Sequence, residues 1–285
     1  MKSLSILTIT ENRPEFMGFV VSQYHHMLKP ANAQWIVVAS MEDMETVKEL
    51  IFEWASDARG GDYQMITPEG VTRFGEGTME LTIDMTLPPV QSGHCSMGGK
   101  RNRALELAVG EYVTWLDDDD MQHRDRIAKV WEVGQWYAKG KRLNDKYHVM
   151  VRGNSGLVDI DTYRLREQAK RSHNWYEGLF YREDVKPFPT TVNIGEDYHW
   201  SQQFLRPAAR CVEIGPPPLP LSVNIRHHKN ISGISGFSLD DKYWPYTAPR
   251  AWIHGNDEWT GLAALKRSLD APSSVDDDSS LHVDK

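Results

Sequence analysis

Short apolar runs and longer segments with helical spacing alternate along the first part of the chain. The apolar runs, which predict strands, cover residues 3–10, 34–39, 63–67 and 112–116. The segments with helical spacing cover residues 15–28, 44–58 and 100–109. Strands that alternate with helices in this way form βαβ units, whose strands lie parallel in one sheet. The pattern therefore predicts an α/β fold with a mostly parallel central sheet that helices flank.

Four consecutive aspartates, Asp117–Asp120, directly follow the predicted strand 112–116. Adjacent carboxylates repel one another, so a folded chain either leaves them in water or neutralises them. Open α/β sheets bind ligands beyond the carboxyl ends of their strands. Mg²⁺ and Mn²⁺ prefer hard oxygen ligands, and Mg²⁺ commonly combines one or two carboxylates with phosphate oxygens. This placement favours a divalent-cation and phosphate site over a solvated acidic loop.

The composition is that of an ordinary globular protein, with 40% hydrophobic and 25% charged residues. The formal net charge of −8 disfavours non-specific attraction to nucleic acid or to an anionic membrane. Two cysteines, Cys95 and Cys211, cannot build a disulfide framework or a zinc ribbon. Because no apolar run approaches the roughly 20 residues of a membrane span, we expect a cytoplasmic protein.

Four motifs stand in a fixed order along the chain. Residues 98–120 (GGKRNRALELAVGEYVTWLDDDD) join a basic residue and Asn at a helix start to the aspartate run, and residues 5–14 (SILTITENRP) form a first strand and its turn. Residues 195–200 (GEDYHW) and 225–232 (IRHHKNIS) follow. Together they resemble glycosyltransferase family 2. The resemblance implies a Rossmann-like GT-A fold and an inverting, metal-dependent transfer of a hexose or pentose from a nucleotide-diphosphate donor.

The resemblance also implies roles for the aspartates and for the cofactor. Asp117 would lie on the ribose side, Asp118 at the variable position of the D-x-D pattern, and Asp119 at a Mn²⁺ or Mg²⁺ ion that Asp120 supports. A bound metal stabilises the negative charge that develops on the departing nucleotide diphosphate. For the nucleotide itself, the resemblance indicates Thr10, Arg13 and Arg101 as contacts.

The Glu-Asp pair of GEDYHW and the later His pair complete the implied site. Asp197 is the implied general base, which takes the proton of the acceptor hydroxyl, and Glu196 positions it or contacts the acceptor. The same pair could instead cap the following helix, because acids are favoured at helix N-termini. His228, with His227 as the other candidate, would reach the metal, since imidazole binds Mn²⁺; a solvated His is the plain alternative.

Further expectations concern Lys100, Arg103 and the end of the second strand. Lys100 and Arg103 are expected to be helix-surface charges, although either could face phosphate. Acidic residues that read the uracil ring often end the second strand in family 2, as in V-D-D-G-S, but Val38–Met41 occupy that place here. The base of the donor therefore stays open, with a UDP-sugar as the default.

The sequence leaves two chemical classes of acceptor possible. Residues 139–171 hold nine Lys or Arg against four acids, and aromatic residues follow them. A basic groove with stacking platforms suits a nucleic acid, whereas aromatic residues also bind sugars. We expect a glycan or another cell-surface or protein acceptor. The alternative is a hydroxymethylated pyrimidine base in DNA, as some bacteriophage enzymes use, and more remote alternatives are a nucleotidyltransferase or a non-catalytic carbohydrate-binding protein.

The chain is predicted to have four parts. These are a nucleotide-sugar-binding half (1–125), an acceptor-binding and catalytic half with mixed structure (126–232), a Trp-rich C-terminal subdomain (233–269) and a disordered acidic tail (270–285). Within the second half, residues 125–138 carry helical spacing, and residues 147–152 and 156–160 predict strands.

Overall fold

A computed structural model gives the structure of most of the first half of the chain and of separate segments beyond it. The described residues are 4–90, 93–132, 148–152, 155–161, 163–167, 178–191, 200, 209–213, 222–226, 246–248, 250–257 and 260–270.

The strands of the described residues are numbered in chain order. They are β1 (Leu4–Ile9), β2 (Gln34–Ser40), β3 (Tyr63–Thr67), β4 (Gly70–Phe74), β5 (Leu81–Leu87), β6 (Tyr112–Trp115), β7 (Asp120–Gln122), β8 (His148–Arg152), β9 (Ser155–Asp159), β10 (Arg164–Glu167), β11 (Leu179–Tyr181), β12 (Ala209–Glu213), β13 (Ser222–Arg226) and β14 (Tyr246–Thr247).

The helices are numbered in the same way. They are α1 (Met17–His26), α2 (Met44–Ser56), α3 (Met97–Leu107), α4 (Arg250–His254) and α5 (Leu262–Asp270). Residues 126–132 are also helical, and short 3₁₀ turns cover Pro14–Phe16 and Arg182–Asp184. Among the described residues, no helix has the length and apolar character needed to cross a bilayer.

The central sheet has nine strands in the order β12-β8-β11-β6-β1-β2-β5-β3-β4. Five of its eight neighbouring pairs are parallel, including the run β6-β1-β2-β5-β3. The three antiparallel pairs join β11 to β6 and β8, and β4 to β3. The predicted α/β class with a mostly parallel central sheet is confirmed.

Strand β2 shows why the sheet needs helices on both faces. All seven of its residues are buried. Trp35 and Val37 pack in the core that also contains residues of α1 and α2, whereas Ile36 and Val38 pack with residues of α3 and β6. Successive side chains of a strand point to opposite faces, so this continuous apolar run is typical of a doubly covered parallel strand.

A second, five-stranded sheet has the order β14-β10-β9-β13-β7. Strand β13 runs antiparallel to β7, with Asn224 opposite Asp120, and parallel to β9. Residues 116–119 therefore connect β6 of the central sheet to β7 of the second sheet. Asp117–Asp119 lie in this short connection.

The C-terminal helix α5 joins the same core as the first strands. Leu262 and Leu265 are buried in the cluster that contains Leu4 and Phe16, and α5 packs against the turn Pro14–Phe16. Lys266 adds an ion pair to Asp161 at 2.9 Å. The division into four parts stays a prediction.

Most predicted elements of the first half are confirmed, with shifted ends. The predicted strand at 34–39 is β2 and the one at 112–116 is β6, while the predicted helix at 100–109 is α3 and begins earlier, at Met97. The hairpin strand β4 and the buried strand β5 had not been predicted. The sequence of β5, LTIDMTL, alternates apolar and polar residues, which is a strand signal that could have revealed it. Of the predicted helix 125–138, residues 126–132 are described and helical.

Candidate functional site

The aspartate connection lies beside the carboxyl end of β1. Parallel pairing places Leu7 opposite Trp115, the Leu116 amide donates to the Leu7 carbonyl at 2.8 Å, and the Thr8 hydroxyl donates to the Leu116 carbonyl at 2.6 Å. The turn that follows β1 therefore stands next to Asp117–Asp119. This is the edge of the sheet at which α/β proteins bind their ligands.

Arg13 bridges two of the aspartates. Its Nη1 donates to Asp118 Oδ1 at 2.7 Å and to Asp119 Oδ2 at 2.9 Å. Burial alone would lower the pKa of Arg13, but the two carboxylates raise it above its usual value. Hydrogen bonds between two ionised groups are stronger than neutral ones, so the guanidinium holds this connection firmly.

The N-terminus of α2 fixes the backbone that carries Arg13. Asn12 has a left-handed backbone with φ of 49°, and its amide donates to a carboxylate oxygen of Asp43. Asp43 also accepts from the Thr46 amide as the N-cap of α2, and the Arg13 amide donates to Thr46 Oγ1 at 3.0 Å. Asn tolerates the left-handed region better than most residues, which explains its place in this turn.

Arg101 contacts the first aspartate from α3. Its Nη1 and Nη2 lie 3.3 and 3.5 Å from the two oxygens of Asp117. The guanidinium also lies over the rings of Trp115 and Phe188, at 5.0 and 5.6 Å from their centroids. These distances are in the range of cation–π contacts, so the guanidinium interacts with two aromatic rings as well as with Asp117.

Asp118 is the most deeply buried member of the run, with 1% of its surface exposed. Burial raises the pKa of Asp118 to about 6, while the Arg13 cation acts in the opposite direction. Thr10 approaches this carboxylate, but neither Thr10 Oγ1 nor Asp118 Oδ2 completes a hydrogen bond of good geometry. A buried oxygen without a full complement of partners indicates that the connection is prepared for a further donor or cation.

The position expected for Lys100 was wrong. Its side chain is fully buried, not on the helix surface, and Nζ contacts the Thr10 carbonyl at 3.1 Å, Ser40 Oγ at 2.7 Å and Glu11 Oε2 at 3.2 Å. Burial lowers the pKa of Lys100, and Glu11 opposes that shift. Glu11 Oε1 also accepts from the Val90 amide at 2.8 Å. The pair ties together the ends of β1 and β2 and the chain after β5.

Arg103 was also expected to be a surface charge, and this is wrong in part. Its side chain is 28% exposed, but it binds the fully buried Asp84 of β5 at 2.9 Å. Asp84 further accepts from the amide and hydroxyl of Thr86. Arg103 therefore attaches α3 to the sheet.

The aspartates fit a divalent cation that takes few ligands from the protein. Three carboxylates, Asp117–Asp119, face two guanidinium groups, so negative charge is in excess. The side chains of Asp117 and Asp119 remain 13% and 17% exposed, whereas Asp120 is buried in β7. Among the residues described, no group of three or more His, Cys, Asp or Glu side chains is arranged to hold a metal. Two carboxylates completed by phosphate oxygens remain compatible with Mg²⁺.

Four predicted site residues, Glu196, Asp197, His227 and His228, lie outside the described residues. The structure describes Trp200, which follows the first pair, and Arg226, which directly precedes the second. Trp200, three residues after Asp197, is buried. The carboxyl end of β13, which His227 directly follows, runs towards the aspartate end of β7 because the two strands are antiparallel. The structure thus brings together Thr10, Arg13, Arg101 and Asp117–Asp119 and leaves the other four as predictions.

Asn102 is a residue that the sequence analysis left without a role. Its Nδ2 donates to the Phe188 carbonyl at 3.0 Å, and the Phe188 amide donates to its Oδ1 at 2.6 Å. The only sequence signal was its place beside Arg101 in the motif at residues 98–120, since its partner is 86 positions away.

Comparison with known proteins gives a fold but no family. No family model and no curated protein matches the sequence. Among solved structures, S. aureus TarS 1–349 in complex with UDP-GlcNAc is similar, with a TM-score of 0.51, 10% identity, and 83% of this chain and 62% of that chain covered. A second S. aureus TarS structure has a TM-score of 0.50 and 10% identity, with 79% of this chain and 37% of that chain covered.

The mannosyltransferase PcManGT from Pyrobaculum calidifontis, in complex with GDP-Man and Mn²⁺, gives a TM-score of 0.47 at 16% identity and covers 78% of this chain and 56% of that chain. This third likeness is too low to carry an argument. The chain spans less than two thirds of the length of each of these neighbours. The likeness to the two TarS structures shows that the chain has a GT-A-like fold, as predicted.

Proposed function

We propose that this protein is a glycosyltransferase that moves a sugar from a nucleotide-diphosphate donor to an acceptor hydroxyl. The observation that carries the proposal is the arrangement of Asp117–Asp119 at the end of β6, bound by Arg13 and Arg101 at the edge of a GT-A-like sheet. The fold neighbour whose structure contains UDP-GlcNAc supports this class of donor.

Each described site residue is assigned to one part of the nucleotide-sugar donor. Arg13 and Arg101 carry the positive charge next to the aspartates. We expect both guanidinium groups to contact the diphosphate. Asp117, which Arg101 orients, takes the ribose hydroxyls, and Thr10 contributes a hydroxyl beside Asp118. The arrangement excludes water from one side because Trp115 and Phe188 cover Arg101.

A Mn²⁺ or Mg²⁺ ion would be held by Asp119, with Asp120, His227 and His228 as further candidates. When bound, such an ion neutralises the negative charge that the nucleotide diphosphate gains on leaving. The residual negative charge of the aspartates after pairing with two arginines supports this part of the proposal.

The transfer itself follows from the chemistry of the groups proposed. The acceptor oxygen attacks the anomeric carbon as the bond from that carbon to the diphosphate oxygen breaks, and the acceptor proton passes to the Asp197 carboxylate. Glu196 orients Asp197 or the acceptor. Attack from the face opposite the leaving group inverts the anomeric configuration.

The acceptor class proposed first is a glycan or another cell-surface or protein hydroxyl. The second candidate acceptor is a hydroxymethylated pyrimidine in DNA. It is supported by the basic stretch 139–171, which includes Arg152 of β8 and Arg164 and Arg166 of β10. A DNA acceptor, whose target base is single-stranded or extruded, would use that stretch for phosphate contacts.

Release of nucleotide diphosphate tests the activity. UDP-GlcNAc and GDP-Man are incubated with Mn²⁺ and with a glycan panel or hydroxymethylcytosine DNA, and the free nucleotide diphosphate is measured. We expect acceptor-dependent release by the wild type and a loss of at least about 100-fold in Asp197→Asn, since a general base contributes roughly 10²–10⁴-fold. Unchanged donor binding in this variant would separate catalysis from binding. Equal release by Asp197→Asn and wild type would contradict the assignment of the base.

A further inference from the structure

Helix α3 contacts the chain before the Glu-Asp motif through one face of its first two turns. Gly98 and Asn102 lie four residues apart and therefore on the same face. A Cβ on Gly98 would lie 2.1 Å from the Pro189 carbonyl oxygen, so only glycine permits this approach. The Asn102 side-chain amide donates to the Phe188 carbonyl at 3.0 Å and accepts from the Phe188 backbone amide at 2.6 Å.

The two hydrogen bonds demand an amide side chain at Asn102. A carbonyl needs a donor and an N–H needs an acceptor, and Asn supplies both at a fixed spacing. Asp has the same shape but would turn a carboxylate oxygen towards the Phe188 carbonyl. Beside this contact, a groove of about 510 Å³ lies between α3 and the chain at 182–187. Leu105 and Val185 are among the residues that line it. At Phe188 and Pro189 the attachment to α3 therefore runs through Asn102 and Gly98.

Trp200, further along the chain, packs against Phe188. Its ring stacks on Phe188 with centroids 4.4 Å apart and an angle of 8°, and its Nε1 donates to the Lys186 carbonyl at 2.8 Å. The Phe180 ring of β11 meets it edge-on at 5.0 Å. The chain that leaves at Phe188 and comes back at Trp200 thus has both ends attached to each other and to α3.

The segment between these two ends carries Glu196 and Asp197. Asp197 precedes the anchored Trp200 by three residues in the sequence and lies outside the described residues. Phe188, at the base of the segment, also meets Trp115 edge-on at 5.4 Å and receives the Arg101 guanidinium at 5.6 Å. One ring therefore contacts both the donor-side arginine and the anchor of the Glu-Asp segment.

We propose that Asn102 and Trp200 are positioning residues that set the Glu-Asp segment against the donor site through Phe188. This inference rests on the proposed function, and it assigns a role to the Asn of the α3 motif. Displacement of a reacting group by about 1 Å lowers rates by roughly 100-fold, so such an anchor acts on turnover and not on donor affinity.

The test compares Asn102→Asp and Trp200→Phe with Glu106→Gln, a control on the exposed side of α3. Trp200→Phe keeps a ring on Phe188 and loses the hydrogen bond to Lys186. We expect both variants to bind UDP with Mn²⁺ within about twofold of the wild type, and to release nucleotide diphosphate at least about tenfold more slowly. Glu106→Gln should match the wild type in both measurements.

Hydrogen exchange supplies a readout that is independent of the substrate. Amide exchange in peptides spanning residues 185–200 should rise in Asn102→Asp, while peptides spanning 4–13 and 112–120 stay unchanged. Exchange and turnover both equal to the wild type would overturn the inference, and so would faster exchange with unaltered turnover. If the wild type neither binds a nucleotide nor turns over a donor, the proposed function fails, whereas the exchange result still reports on the anchor.

Discussion

Arg13 reaches the aspartates because of the residue before it. The left-handed backbone of Asn12 turns the chain at the end of β1, and Asp43 and Thr46 of the α2 N-terminus hold the two amides of that turn. The guanidinium is then delivered to Asp118 and Asp119 at hydrogen-bonding distance. At the scale of single residues, the site depends on this one cation to keep buried carboxylates ionised.

Arg13→Ala is expected to destabilise the protein by about 3 kcal/mol or more at pH 8, because it leaves a buried carboxylate without its partner. Urea unfolding in EDTA measures the loss. Arg59→Ala, which breaks the exposed ion pair to Asp57, should cost less than about 1 kcal/mol. Burial raises the pKa of Asp118 to about 6 even with Arg13 present, and removal of this cation raises the pKa further, so the folded variant takes up a proton at a higher pH than the wild type.

The unfolded chain takes up the corresponding proton only near pH 4. The loss in Arg13→Ala should therefore be smaller at pH 5 than at pH 8. An equal loss at both pH values, or no loss at either, would show that Arg13 is not the counter-ion of Asp118.

Helix α3 joins more parts of the site than any other element described. Lys100 attaches it to the ends of β1 and β2, Arg101 to Asp117, Asn102 to Phe188, and Arg103 to Asp84. Consecutive residues of a helix point about 100° apart, so four in a row contact four surroundings. A buried helix end with this many polar partners acts as a structural centre for the donor side.

Lys100→Met tests this role of α3. It leaves the Glu11 carboxylate buried without its cation, which should lower the free energy of unfolding by about 3–5 kcal/mol. The double variant Lys100→Met/Glu11→Gln should recover part of that loss, because it removes both charges. Lys48→Met, in the exposed pair with Glu45, is the control and should cost less than about 0.5 kcal/mol. A double variant that is less stable than the single one would contradict a direct Lys100–Glu11 coupling.

The sequence was sufficient to predict the fold class and the place of the aspartates. Continuous apolar runs such as β2 and the alternation with helices determine a parallel sheet, and a polar run after β6 must then lie at the carboxyl edge of that sheet. Thr10, Arg13 and Arg101 were predicted from the resemblance to glycosyltransferase family 2, and the structure places them beside the aspartates.

The sequence did not predict the partners that are far apart along the chain. Asn102 and Phe188 are separated by 86 positions, and Lys100 and Ser40 by 60. A charged residue in a polar helix turn has the same local pattern whether it faces water or a buried carboxylate. Only the packing of α3 against the ends of β1 and β2 decides that Lys100 is buried.

Across the whole molecule, a chain of 285 residues that is acidic overall places two arginines, Arg13 and Arg101, against its aspartate run. The central sheet supplies the donor edge through β1 and β6, and the second sheet brings β13 alongside the aspartates. Under the proposed function, the GT-A-like fold and the two arginines make Asp117–Asp119 the expected binding place of a nucleotide diphosphate.

A thermal-shift screen with nucleotide diphosphates and their sugars, with and without Mn²⁺, tests that expectation most directly. A ligand at 100 times its Kd stabilises the native state by about 2.7 kcal/mol, which corresponds to roughly 5 °C in Tm for a chain of this size. We predict that at least one nucleotide reaches such a shift with Mn²⁺, and that Asp119→Asn loses the Mn²⁺-dependent part. No shift for any nucleotide at millimolar concentration, with or without Mn²⁺, would contradict the assignment of the aspartates as a nucleotide-sugar site.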